Sequence, residues 1–150
     1  MWKCLCLAVG VWSYALAADR PALSGTWEMD AAHSQMADAK MKGQSWLITQ
    51  NDDSLEISQI LTDSGGKQKK VVIQCNTDGK NCNVKENGQT TQVSMYYNGD
   101  RLVLLEQWHG TDFVTKKRFS TSEDGKTLTV EVTHVAPPGR KDEVWTFVKQ

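Results

Sequence analysis

Two residues in the second half of the chain carry side chains suited to acid–base or ligand chemistry. Glu106 shares the parity of Leu102, Leu104 and Trp108, and His134 shares that of Leu128, Val130 and Val132. Alternate side chains of a strand lie on one face. If these faces point inward, an interior holds both a carboxylate and an imidazole. There the carboxylate orients a ligand's polar group or, with a raised pKa, acts as a general acid. The opposite face of the first segment, Val103 and Leu105, is apolar too. With that face inward, Glu106 is solvated.

The other candidate chemistry is sparse. His33, His109 and His134 show no HxH or HExxH spacing, so a metal site is not expected. No paired-carboxylate, Ser-His-Asp or Cys-His arrangement can be assembled. The glycines lack the strand–GxxxxGK–helix context of a phosphate loop. No cofactor is expected. Tyr96-Tyr97 beside Asn98-Gly99 suggests either an aromatic rim or one buried and one exposed ring.

Cys75 and Cys82 bracket Asn-Thr-Asp-Gly-Lys-Asn. With Asp78-Gly79 as a two-residue turn, the cysteines face each other across a hairpin, at a separation that a disulfide spans. A three-residue turn places Cys75 opposite Asn81 instead. Six intervening residues and no nearby histidine argue against a redox or metal site.

The elements that position these residues are strands. Apolar residues alternate through Trp46/Ile48, Leu55/Ile57/Leu61, Val71/Ile73/Cys75, Cys82/Val84, Val93/Met95/Tyr97, Leu128/Val130/Val132 and Trp145/Phe147, the period of half-buried strands. Phe113 and Phe119 bracket one more. Between the runs lie Asp78-Gly79, Asn87-Gly88, Asn98-Gly99 and Asp124-Gly125, dipeptides that supply the positive φ of tight hairpins. Such short connections require antiparallel neighbours. The chain is therefore expected to be all-β, an up-and-down meander of about 8–10 strands closing into a barrel, with a sandwich as the alternative. Only Asp30 to Lys42 has helix-favouring composition, and its poor apolar spacing fits a single turn or ordered loop equally well.

Met1-Trp2-Lys3, the apolar run Cys4 to Leu16 and Ala15-Leu16-Ala17 have the form of a secretory signal peptide, residues 1–17. A retained anchor is the competing reading, although the run is short for a bilayer span. Residues 18–150 then form a single barrel domain with only Cys75 and Cys82 remaining, a pattern that suits an oxidising, periplasmic or extracellular location. The whole chain has 150 residues and a net charge of −1, which does not favour nucleic acid. Its basic clusters, Lys67-Gln68-Lys69-Lys70 and Lys116-Lys117-Arg118, are expected on solvated strand faces or edges. No membrane span is expected in residues 18–150, and the protein is expected to be a monomer.

The first strand begins Leu23-Ser24-Gly25-Thr26-Trp27-Glu28. Gly-x-Trp at this place resembles the first-strand signature of lipocalins and their calycin relatives. The resemblance implies that Trp27 plugs the closed end of a ligand-holding barrel, with a basic residue from late in the chain covering it, either Arg118 or Lys149. The chain also resembles small exported bacterial proteins that open with LSGTW and carry EDGKTLT near the end, here Leu23 to Trp27 and Glu123 to Thr129.

The leading expectation is a non-enzymatic exported barrel that binds a small apolar ligand, lined by Tyr97, Leu104, Glu106, Trp108, Phe113, Val130 and His134. A second is a protein-binding module, such as an inhibitor of an extracellular hydrolase, acting through loop 136–142 or the disulfide hairpin. A third is an enzyme using Glu106 with His134. Whether the interior is hollow or packed discriminates among them.

Overall fold

The computed structural model describes residues 19–37, 41–86 and 88–150. Among the described residues ten strands form one antiparallel sheet. They are β1 (Gly25–Met29), β2 (Met41–Gln50), β3 (Ser54–Asp63), β4 (Gln68–Asn76), β5 (Asp78–Glu86), β6 (Gln89–Asn98), β7 (Arg101–Trp108), β8 (Val114–Thr121), β9 (Thr127–Ala136) and β10 (Glu143–Lys149). The order is β4-β3-β2-β1-β10-β9-β8-β7-β6-β5. Pairing of β1 with β10, Trp27 opposite Lys149, rolls the meander up. The two ends of the sheet, β4 and β5, then meet along a seam. Cys75 and Cys82 bridge it as a disulfide with Cα atoms 5.9 Å apart, and Lys69 of β4 pairs with Glu86 of β5. The architecture is a nearly closed up-and-down barrel. Its hairpin connections leave no long crossover to build the second layer of a sandwich.

The inward face carries the alternating apolar residues read from the sequence. Trp27, Trp46, Ile48, Leu55, Ile57, Leu102, Leu104, Phe119, Leu128, Val130 and Phe147 are all buried in one core. Glu106 shares that face and is buried as well. Val103, on the other face, is also buried, flanked in the ladder by Tyr96 and Arg118.

Several expectations need correction. Cys75 and Cys82 do not face each other across a hydrogen-bonded hairpin, because their strands are the opposite ends of the sheet order. The backbone N–H of Thr77, between the two strands, bonds to Asp53 O at 2.8 Å instead. Of the alternatives open for segment 30–42, the described residues show the single turn, a 3-10 turn at Ala31–His33 capped by the Asp30 carboxylate, and β2 begins at Met41. The basic clusters are not wholly solvated. Lys117 has the parity of Phe119 and is buried, and Lys69, with the parity of Val71, turns toward the seam. The region read as a signal peptide lies outside the described residues.

The cover over Trp27 is Lys149, whose Nζ lies 5.2 Å from the ring centroid. Arg118 is on the outer face, 3.7 Å from Glu131. Gly25 explains how Lys149 fits. Its φ of +140° is open mainly to glycine, and a Cβ there would stand 2.7 Å from Lys149 Cε. Beneath, the Trp27 indole N–H donates to Leu23 O at 2.8 Å.

Candidate functional site

The two ends of the barrel are built differently. At the end near Trp27, Gln50 accepts from the Leu23 N–H at 2.9 Å and donates to Tyr97 Oη at 2.7 Å. The Arg20 guanidinium lies over the Tyr97 ring, 4.5 Å from its centroid. Above this seal sits an aromatic floor. The Trp46 ring lies 4.3 Å from Phe147, 6.0 Å from Phe119 and 6.2 Å from Trp145, edge-on to the last. Tilted and edge-to-face pairs of this kind are the favoured aromatic geometries.

Beyond the floor the barrel is hollow. One cavity of about 310 Å³ is bounded by Gln59, Leu61, Val71, Ile73, Val84 and Thr91 among others. A second, of about 480 Å³, opens between Phe113, Val132, His134 and Arg140. Met41, Glu106, Trp108, Lys117 and Trp145 border both, so they adjoin. Trp108 and Phe113 are partly exposed, as befits the mouth.

A chain of polar contacts runs along the region where the cavities adjoin. Glu106 on β7 lies opposite Thr115 on β8 and diagonal to Lys117, a separation that long side chains span. Thr115 Oγ1 donates to Glu106 Oε2 at 3.1 Å, and Lys117 Nζ stands 3.0 and 2.9 Å from the two carboxylate oxygens. The same ammonium lies 5.5 Å from the Trp145 ring centroid. The Trp145 indole N–H donates to Glu143 Oε2 at 2.9 Å, and His134 Nε2 is 2.9 Å from Glu143 Oε1. Burial pushes the Glu143 carboxyl up, but the bonds from Trp145, the Ala37 backbone and His134 outweigh it and hold it below the usual carboxylate range.

An ionised Glu143 only accepts, so His134 Nε2 donates to it. Among the described residues His134 Nδ1 has no partner, and it is sealed from solvent. Neither ring nitrogen is therefore presented to a substrate as an open base. Glu106 is likewise occupied by Lys117 and Thr115. The arrangement suits holding and orienting a molecule better than moving protons. Among the described residues no group of His, Cys, Asp and Glu is disposed to hold a metal ion.

Of the residues singled out in the sequence, the structure brings Glu106, Trp108, Phe113 and His134 together around the hollow. Leu104 and Val130 belong to the packed core. Tyr97 is at the far, sealed end, drawn there by Gln50 and Arg20. The sequence reading missed Lys117, Gln59, Thr91, Glu143 and Trp145. Parity was the available signal for Lys117, in step with Phe119, and for Gln59, in step with Leu55 and Ile57.

No family model matches the chain, and no curated protein matches it in sequence. Solved structures do match in shape. A secretory abundant heat soluble protein from Ramazzottius varieornatus aligns with a TM-score of 0.68 at 10% identity, covering 89% of this chain and 99% of that one. The fluorescent protein UnaG aligns at 0.60 and 15% identity, covering 85% and 97%. The fatty-acid-binding protein of Manduca sexta aligns at 0.55 and 12% identity, covering 84% and 98%. The fold is lipocalin-like, of the calycin type. At such identities the likeness extends to the fold alone. In this lipocalin-like barrel the Gly-x-Trp opening, the lysine cover and the aromatic floor close one end, and the polar chain stands in the open half.

Proposed function

We propose that this protein is an exported, non-enzymatic carrier that binds a small, mainly apolar molecule in the open half of its barrel. The observation that carries the reading is the division of the interior. The Trp46, Phe119 and Phe147 floor is fully packed, whereas the space above it holds cavities of about 310 and 480 Å³. Sites for small molecules typically measure about 300–1,000 Å³, with apolar walls and a few placed polar groups. Leu61, Val71, Ile73, Trp108, Phe113 and Trp145 supply such walls. A protein that binds fatty acid shares the fold, which supports the reading by analogy only. The signal-like residues 1–17 and the Cys75–Cys82 bridge support export.

The test is to purify the protein from its own host and record its mass under native and denaturing conditions. A bound organic molecule released on denaturation is expected, together with processing before Ala18. An empty, unprocessed protein that also fails to bind any apolar dye overturns the proposal.

A further inference from the structure

The charges facing the hollow are arranged in pairs. Lys117 is held by Glu106, and Lys69 by Glu86. The remaining interior carboxylate, Glu143, is met by His134 and Trp145. Arg140 lies at the mouth, exposed to solvent with its guanidinium 5.8 Å from the Phe113 ring centroid, where water and salt screen it. Among the described residues, no buried cation is left free to meet an anionic ligand. An entering carboxylate would lose its hydration and face Glu106 and Glu143 without a counter-charge, which is strongly unfavourable in a buried site.

The unpaired polar groups are neutral. Gln59 and Thr91 are 7% and 6% exposed, and both border the smaller cavity. Among the described residues neither side chain makes a hydrogen bond, whereas Gln44, Glu106, Lys117, Glu86 and Lys69 on the same cavity are all engaged. An amide and a hydroxyl together offer donors and acceptors without net charge. Among the described residues the sealed side-chain atom without a partner is His134 Nδ1; Gln59 and Thr91 instead open on the cavity, where a neutral hydroxyl or amide on a ligand bonds them without bringing a charge.

We infer that the cavity selects an apolar molecule bearing a neutral hydroxyl or amide group and rejects free carboxylates, with Glu106 setting this preference by neutralising Lys117. The inference rests on the ligand-binding reading above and adds the class of ligand. Gln59 and Thr91 receive the neutral group. Removing the Glu106 charge leaves the Lys117 ammonium as a free anion partner and inverts the selectivity.

The experiment is displacement of an apolar fluorescent dye at neutral pH by decanol, decanamide and decanoate. The wild-type protein is expected to prefer the two neutral compounds over decanoate by about tenfold or more, the usual scale for one mismatched buried polar contact. Glu106→Gln is expected to shift the decanoate-to-decanol preference toward decanoate by about tenfold. Equal or tighter decanoate binding by the wild type overturns the inference, a result that needs no variant to fold. Dye binding that none of the three compounds displaces also overturns it, yet leaves the cavity reading standing. Absence of dye binding removes both.

Discussion

Lys117 Nζ reaches both carboxylate oxygens of Glu106, at 3.0 and 2.9 Å, from the neighbouring strand inside the barrel wall. The two side chains are 11% and 10% exposed, so each depends on the other for its charge to be tolerated there. Breaking a buried pair from one side costs more than removing it whole, because the survivor is left uncompensated. Lys117→Met and Glu106→Gln are each expected to lower stability by about 2–4 kcal/mol. The double variant is expected to regain most of that loss. Urea unfolding of the four proteins forms a double-mutant cycle. Simple additivity of the two losses would show that the pair is not coupled.

The seam between β4 and β5 gives a second expectation. Replacing Cys75 and Cys82 together by serine opens a loop of eight residues, Cys75 to Cys82. Loop-closure entropy puts the cost at about 2.5 kcal/mol. Hydrogen exchange is expected to rise in β4 and β5 more than in β1, β2 and β10, whose ladders are continuous on both sides. Uniform exchange changes around the barrel would argue against a localised seam.

Gly25 gives a third. With a φ of +140° and Lys149 Cε in the place of a Cβ, Gly25→Ala is expected to cost about 1–3 kcal/mol in backbone strain. Lys149→Met keeps the apolar stem over Trp27 and is expected to cost under about 1 kcal/mol. Thermal melts of both variants check this ordering, and a reversed ordering would place the constraint in the lysine charge instead of the backbone.

Glu143 gives a pH dependence with a definite sign. Its carboxyl is held below the ordinary value of 4.5 in the fold, burial being outweighed by the bonds from Trp145, Ala37 and His134. A lowered folded pKa means that stabilisation is present above the unfolded value and fades as pH falls through the folded one. The stability gap between wild type and Glu143→Gln is therefore expected to be widest above about pH 4.5 and to shrink as acid is added. Urea midpoints across that range measure it; a gap that widens in acid contradicts the assignment.

Much of this molecule was legible in the residues because a half-buried strand writes its inward face at every second position. Leu128, Val130 and Val132 are buried as their alternation requires, and Glu106 follows Leu102 and Leu104 inward. The same rule, applied to Lys69 and Lys117, places both on inner faces; reading them as members of basic runs hid it. Other features depend on relations that are not local. Pairing of Trp27 with Lys149 and of Cys75 with Cys82 follows from closure of the whole sheet. No single hairpin reports whether β4 and β5 meet as a ladder or as a seam. Contact of Lys117 with Trp145 joins β8 to β10 over the intervening β9, beyond the reach of any one-strand pattern. Tyr97 had the parity of an inward residue, but parity does not say which end of the barrel a residue occupies.

The upper half of the barrel is an accommodating hollow above a packed floor. The most direct test of this is the titration of an apolar fluorescent dye into the wild-type protein and into Val71→Trp, a substitution at a buried position bordering the smaller cavity. Saturable binding of one dye per wild-type molecule is expected, with loss of that binding in the filled variant while it remains folded by circular dichroism. Failure of the wild type to bind, or equal binding by the folded Val71→Trp protein, would contradict it.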